Sequence, residues 1–170
     1  KILIINEYNS LNIGDQAIAF GMRNLIKDVL GDEVIVEFLG LENCKLNKPV
    51  ALAKDNLEQK EKNNLMKWLK SIRLLSGIHV VLWAVRYLFR IFNCRNEIKK
   101  SDVIIIGGGG IIMNNHFHFP IAIRFISSLC RFYGKSYGFS GVSIGGEINK
   151  KMIRFLSSSI KKASFFHVRD

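Results

Sequence analysis

Hydrophobic positions along the chain alternate between two spacings. Lys1–Asn6 (KILIIN) is a short, nearly continuous apolar run closed by polar residues, the pattern of a parallel strand covered on both faces. Asp15–Leu30 then places Ala17, Ile18, Met22, Leu25, Ile26 and Val29 at three- and four-residue spacings, which predicts one apolar helical face, and Gly31 stops the helix. Val34–Leu39 (VIVEFL) reads as a second strand. The rhythm resumes with Asp102–Ile106 (DVIII) as a strand, Gly107–Gly110 as a loop, and Pro120–Tyr133 as a helix carrying Ile121, Ile123, Phe125, Ile126 and Leu129. Lys135–Ile144 is predicted as a strand, Lys150–Lys161 as a helix and Ser164–Val168 as a last strand. Such alternation predicts an α/β protein, a parallel sheet with helices on both faces.

The middle of the chain breaks the pattern. Asn43–Asn64 is polar and irregular around Pro49, and Leu65–Asn93 is a long helical stretch. Its second half, Gly77–Phe92, is apolar nearly all round, with Arg86 and Arg90 one turn apart, yet too short and too charged to span a bilayer. Three readings stay open: a buried helix, a helix capping a partner domain, or an in-plane helix on a membrane with its basic residues at the headgroups.

Charge bears on that choice. Of the net charge of +11, Lys45–Lys100 supplies nine, with thirteen Lys or Arg against Asp55, Glu58, Glu61 and Glu97. A localised basic segment attracts polyanions or an anionic membrane face, although a solvated helix face would look the same. The aromatics Trp68, Trp83, Tyr87, Phe89 and Phe92 lie in apolar helical runs rather than interleaved on a strand platform, which argues against nucleic acid.

At 170 residues, with 48% hydrophobic and 23% charged positions, the chain has the size and composition of one globular domain. Cys44, Cys94 and Cys130 are odd in number, far apart and form no CxxC pair, so neither a disulfide framework nor a zinc site is expected and a reducing compartment fits. Ile2–Ile5 is far too short for the apolar region of a secretory signal.

In a parallel α/β sheet, ligands gather beyond the carboxyl ends of the strands. Four unusual stretches fall at such ends: Asn12–Asp15, Gly107–Gly110, Ser143–Gly146 and Arg169-Asp170. The glycine run lets backbone approach a ligand and offers its N–H groups to an anion, but it fits neither GxGxxG nor GxxxxGK[ST]. Asn12, Gly14 and Asp15 could serve only the helix, as N-cap, turn and favourable first-turn acid, or could point into the crevice and bind or deprotonate a substrate hydroxyl. Ser143 and Gly145 could bind an anion, or merely turn the chain. Arg169 is suited to bidentate binding of carboxylate or phosphate. His116 and His118 would share a face if extended, but no carboxylate or cysteine nearby completes a metal set, and His167 is read as a packing residue.

Taken together, NIGD (Asn12–Asp15), DVIIIGGGG (Asp102–Gly110), GVSIGG (Gly141–Gly146) and VRD (Val168–Asp170), in that order, resemble the polysaccharide pyruvyl transferase family. Gly146 stands where the family usually has proline. The resemblance implies a Rossmann-like, GT-B type enzyme of two halves that transfers pyruvate from phosphoenolpyruvate to sugar hydroxyls as a ketal, in exopolysaccharide or cell-surface glycan biosynthesis. It implies that residues 1–170 are the N-terminal half, a single Rossmann-like domain with 45–100 as a basic, partly helical insertion. The general-acid histidine would belong to the C-terminal half, so this half alone would be inactive.

By match to the family, Arg169 would hold the donor's carboxylate or phosphate. Asn12 and Asp15 would orient the acceptor, with Asp15 a candidate base, while Gly107, Gly108 and Gly109 would give backbone contacts. The scheme calls for no metal and no cofactor beyond phosphoenolpyruvate as donor substrate. Acceptors would be glycans or lipid-linked saccharides, which suggests a cytoplasmic enzyme held at the inner face of the membrane by residues 66–95. A GT-B type glycosyltransferase and a non-catalytic membrane-surface or glycan-binding module are the rival readings. Oligomeric state is not legible.

Overall fold

The computed structural model describes residues 1–8, 12–41, 46–47, 82, 85–90, 92, 94–113, 118–145 and 149–169. Strand β1 (Ile2–Asn6) is buried along its whole length, and successive side chains enter opposite layers of the core. Leu3 and Ile5 join one cluster, and Ile2 and Ile4 the other. β1 pairs in parallel with β2 (Val36–Gly40) on one side and with β4 (Val103–Met113) on the other. With β3 (Leu46–Asn47), β5 (Ser136–Gly145) and β6 (Phe166–Val168), the sheet order is β3-β2-β1-β4-β5-β6. Every pairing is parallel except that of β2 with the two-residue edge strand β3, which the sequence did not signal. The chain therefore winds outward from β1 in both directions, and a topological switch point lies between the carboxyl ends of β1 and β4. This is a Rossmann-like α/β fold.

Helix α1 (Ile13–Leu30) covers the layer of Ile2 and Ile4. The other layer is filled by Ile98 of α2 (Arg95–Lys100), by Ala122, Ile123, Ile126 and Cys130 of α3 (His118–Phe132), and by Met152 and Leu156 of α4 (Lys150–Lys161). The expected helical faces need correction. On α1 only Ala19 is fully buried, Met22 and Ile26 pack partly, and Leu25 and Val29 are exposed. A spacing of three and four residues admits two neighbouring stripes, and the small Ala19 lets the helix approach the sheet along one of them. On α3 the buried stripe includes Ala122, Ser127 and Cys130, whereas Phe125 points outward. Counting only large apolar residues misses such a stripe. Ser127 is satisfied there by Ser159, with 2.7 Å between their hydroxyl oxygens.

The glycine run is also not a loop. β4 continues through Gly107–Gly110 to Met113 and stays paired with β5 on both sides of a register shift between Gly109 and Ile112. The polar amino end of the sheet is closed by Lys1, whose Nζ lies 2.5 Å from Glu37 Oε2 and 3.0 Å from Glu97 Oε2. The Lys1 hydrogen bond holds the Glu97 carboxyl below its ordinary range, against the opposing effect of burial.

Residues 85–90 are helical and amphipathic in a way the sequence did not resolve. Tyr87 is buried and its hydroxyl donates to the Leu41 carbonyl, while Val85, Arg86, Phe89 and Arg90 face outward. Residues 48–81, most of the proposed insertion, lie outside the described residues. Cys94 and Cys130 are buried, the Cys94 thiol donating to the Arg90 carbonyl at 3.4 Å, and burial pushes the Cys130 thiol up to about 12, so it is an inert packing group.

Candidate functional site

The carboxyl ends of β1 and β4 and the first turn of α1 meet at the switch point. Asn12 is the N-cap of α1, and its Oδ1 accepts from the Gly14 N–H at 3.0 Å. That bond engages the Asn12 side-chain oxygen as the cap of the helix. Gly14 follows from the same geometry, because a Cβ there would lie 3.2 Å from Asn12 Oδ1.

Asp15 is different. It is half-buried, and a Cβ on Gly109 would come within 2.6 Å of Asp15 Oδ1. The carboxylate thus leans over the glycine run, and a side chain at 109 would displace it. A Cβ on Gly108 would lie 3.2 Å from Ile18 Cγ2 and 3.4 Å from Asn6 Nδ2, so α1 and the end of β1 close on that residue as well. Gly107 answers to another neighbour: it pairs with Ser140 of β5, whose carbonyl oxygen would be 2.0 Å from an added Cβ. Strand packing alone demands glycine there.

The remaining sequence candidates lie along the same edge of the sheet. Ser143 and Gly145 are in β5, Ser143 at the register shift with β4 and Gly145 just past it, paired with Met113. Arg169 follows β6, is exposed, and donates its backbone N–H to the Val142 carbonyl at 3.1 Å. Since Val142 pairs with Gly109 on one side and Val168 on the other, Arg169 stands two strands from the glycine run, about 10 Å across the sheet. Asp15 and Gly109 are therefore brought together, while Arg169 forms a separate wall.

His118 is exposed at the start of α3, and His116 lies outside the described residues. No cluster of three metal-ligating side chains occurs among the described residues. His167 is exposed rather than in the core, with its ring centroid 5.6 Å from that of Phe165.

Two residues of the crevice escaped the sequence reading. Asn6 read only as the end of an apolar run, yet it is fully buried beside Gly108. Its one sequence signal is that it is polar on the β1 face otherwise made of Ile2 and Ile4. Gly141, at φ 63°, faces Gly108 and Ile18 across a gap of 4.0 Å from its Cβ position. Away from the crevice, a groove of about 450 Å³ is lined by Val85, Leu88, Phe89, Phe92, Phe125 and Leu129.

Sheet order and crevice together define a Rossmann-like domain whose first helix, glycine run and β1 terminus converge at the switch point. A family model described as polysaccharide pyruvyl transferase matches residues 12–170. The chain belongs to that family, a family of transferases. Searches among curated proteins and among solved structures gave no match.

Proposed function

We propose that the chain is the N-terminal half of a GT-B type enzyme that transfers pyruvate from phosphoenolpyruvate onto sugar hydroxyls during exopolysaccharide or cell-surface glycan biosynthesis. The observation that carries this reading is the Asp15 carboxylate set over Gly109 at the switch point of a member of this family. The reaction consumes two hydroxyls of one saccharide. Both oxygens bond to the central carbon of the enol phosphate, one hydroxyl proton is balanced by protonation of the methylene to a methyl group, and the other leaves with phosphate. In this reading Asp15 takes the proton of the attacking hydroxyl. Arg169 is the group for the donor's carboxylate or phosphate, which the two halves would close upon from opposite sides. The complete protein should release phosphate from phosphoenolpyruvate only when a saccharide acceptor is present, and release without dependence on saccharide would remove the reading.

The acceptor is a glycan or a lipid-linked saccharide, which the enzyme meets at the cytoplasmic face of the membrane through the segment 66–95. Support comes from exposed Leu82, Val85, Phe89 and Phe92 beside outward-facing Arg86 and Arg90. Arg95 also stacks over the Phe92 ring at 4.2 Å. No described helix is long and apolar enough to cross a bilayer, so association would be lateral. The complete protein should sediment with vesicles containing anionic lipid and much less with neutral ones, each Lys or Arg near the surface contributing about 1 kcal/mol. Equal sedimentation with both would exclude an electrostatic membrane contact.

A further inference from the structure

The groove of about 450 Å³ away from the crevice has two apolar walls and a charged end. Val85, Leu88, Phe89 and Phe92 repeat at three- and four-residue spacing and form one wall, while Phe125 and Leu129, one turn apart on α3, form the other. Phe89 and Phe92 are 68% and 50% exposed, so the walls stand open to solvent rather than closing on each other. Contiguous apolar surface of this kind marks a place where something binds. The end is set by α2, whose Arg95 and Lys99 are also one turn apart. Arg95 stacks over Phe92 at 4.2 Å, at the end of the first wall, and Lys99 over Tyr133 at 4.7 Å, one turn beyond Leu129 of the second. Among the described residues neither makes an ion pair, and Glu97, between them in sequence, faces Lys1 and Lys100 instead.

An apolar slot that ends on two cations is complementary to an amphiphile with an anionic head. A peptide helix would match the walls but would need carboxylates besides for Arg95 and Lys99, whereas a phospholipid carries chain and phosphate in one molecule. The volume lies in the range of small-ligand pockets, about 300–1,000 Å³, which suits a single hydrocarbon chain. Stacking on a ring holds each basic side chain in place and leaves N–H donors for a phosphate. We infer that the groove holds one acyl chain of an anionic membrane lipid, with the lipid phosphate at Arg95 and Lys99. Helix α2 ends at Lys100 and β4 begins at Val103, so these cations stand at the amino end of the sheet, about 20 Å along β4 from Gly109. The lipid is therefore an anchor, distinct from any saccharide at the crevice. The inference rests on the membrane contact proposed above for the source of the lipid, and adds to it a second element, α3, and a defined site for one chain.

The test uses the complete protein and the alkyl phosphates octyl, decyl and dodecyl phosphate below their micellar concentrations, with decanol as the chain-only probe and inorganic phosphate as the head-only probe. Calorimetry should show affinity rising about tenfold for each two methylenes added. Phe125→Glu, which sets a negative charge in the groove at a surface position, should abolish decyl phosphate binding and lower sedimentation with anionic vesicles, while its melting temperature stays near that of the wild type. Arg95→Gln combined with Lys99→Gln should weaken decyl phosphate by about tenfold or more and leave decanol within about twofold. Inorganic phosphate bound as tightly as decyl phosphate, or binding that ignores chain length and Phe125→Glu, would overturn the inference. So would a dimer that Phe125→Glu splits, because a second copy would then cover the groove. If the variants sediment with anionic vesicles like the wild type, the chain site fails and the membrane contact stands. If the wild type binds alkyl phosphates but sediments with no vesicle, the membrane contact fails and the groove belongs to a soluble amphiphile instead.

Discussion

Replacing Gly107 by alanine should cost about 4 kcal/mol or more, most of the stability of an ordinary domain. The new methyl would lie 2.0 Å from the Ser140 carbonyl oxygen and 2.9 Å from its carbon. Both belong to the backbone of the neighbouring strand, which cannot rotate aside as a side chain could. The φ of 153° adds a conformation that side-chain-bearing residues rarely adopt. Gly134 is the control: it follows α3 at φ 64°, and a Cβ there would meet nothing within 4 Å. Gly134→Ala should therefore cost only about 1 kcal/mol. Urea unfolding of the two variants in the complete protein separates the cases, and a Gly107→Ala protein as stable as Gly134→Ala would mean that β4 and β5 do not run together through the glycine run.

The largest effect on activity is expected at Asp15. Asp15→Asn keeps the shape that fits over Gly109 but removes both the negative charge and the proton acceptor. Transfer should fall by about 10²–10⁴-fold, the range for removal of a general base, while stability drops by no more than about 1 kcal/mol through the lost interaction with the helix dipole. Gly109→Ala should act on the same group from the other side, because its methyl would sit 2.6 Å from Asp15 Oδ1 and push the carboxylate away. A loss of transfer below about tenfold in Asp15→Asn would take the residue out of proton transfer and leave it a first-turn acid.

These two glycines show where the sequence was informative and where it was not. The alternation of apolar runs was enough to order most strands and helices, because a buried parallel strand such as Ile2–Ile5 has no polar face and a covering helix must show one apolar stripe. It could not tell a glycine run that ends a strand from one that continues it. That depends on a neighbour far along the chain, Ser140, whose carbonyl requires glycine at 107. Nor could local spacing separate Asn12 from Asp15. Both lie in NIGD, and only the position of Gly109 shows that one caps the helix while the other leans over the sheet. Asn6 was hidden for the opposite reason: a single polar residue closing an apolar run is the ordinary end of a strand, and its missing partner appears only in three dimensions. The edge pairing of Leu46–Asn47 carried no pattern at all, since two residues are too few to show a period.

The account turns on what the complete protein makes at this crevice. The most direct measurement is to incubate it with phosphoenolpyruvate and a saccharide and to follow phosphate release and the mass of the saccharide together, in wild type and in Asp15→Asn. One phosphate per carboxyethylidene ketal gained by the saccharide, with both lost in Asp15→Asn, is the expected result. Phosphate released with the saccharide unaltered, or a ketal formed equally well without the Asp15 carboxylate, would contradict it.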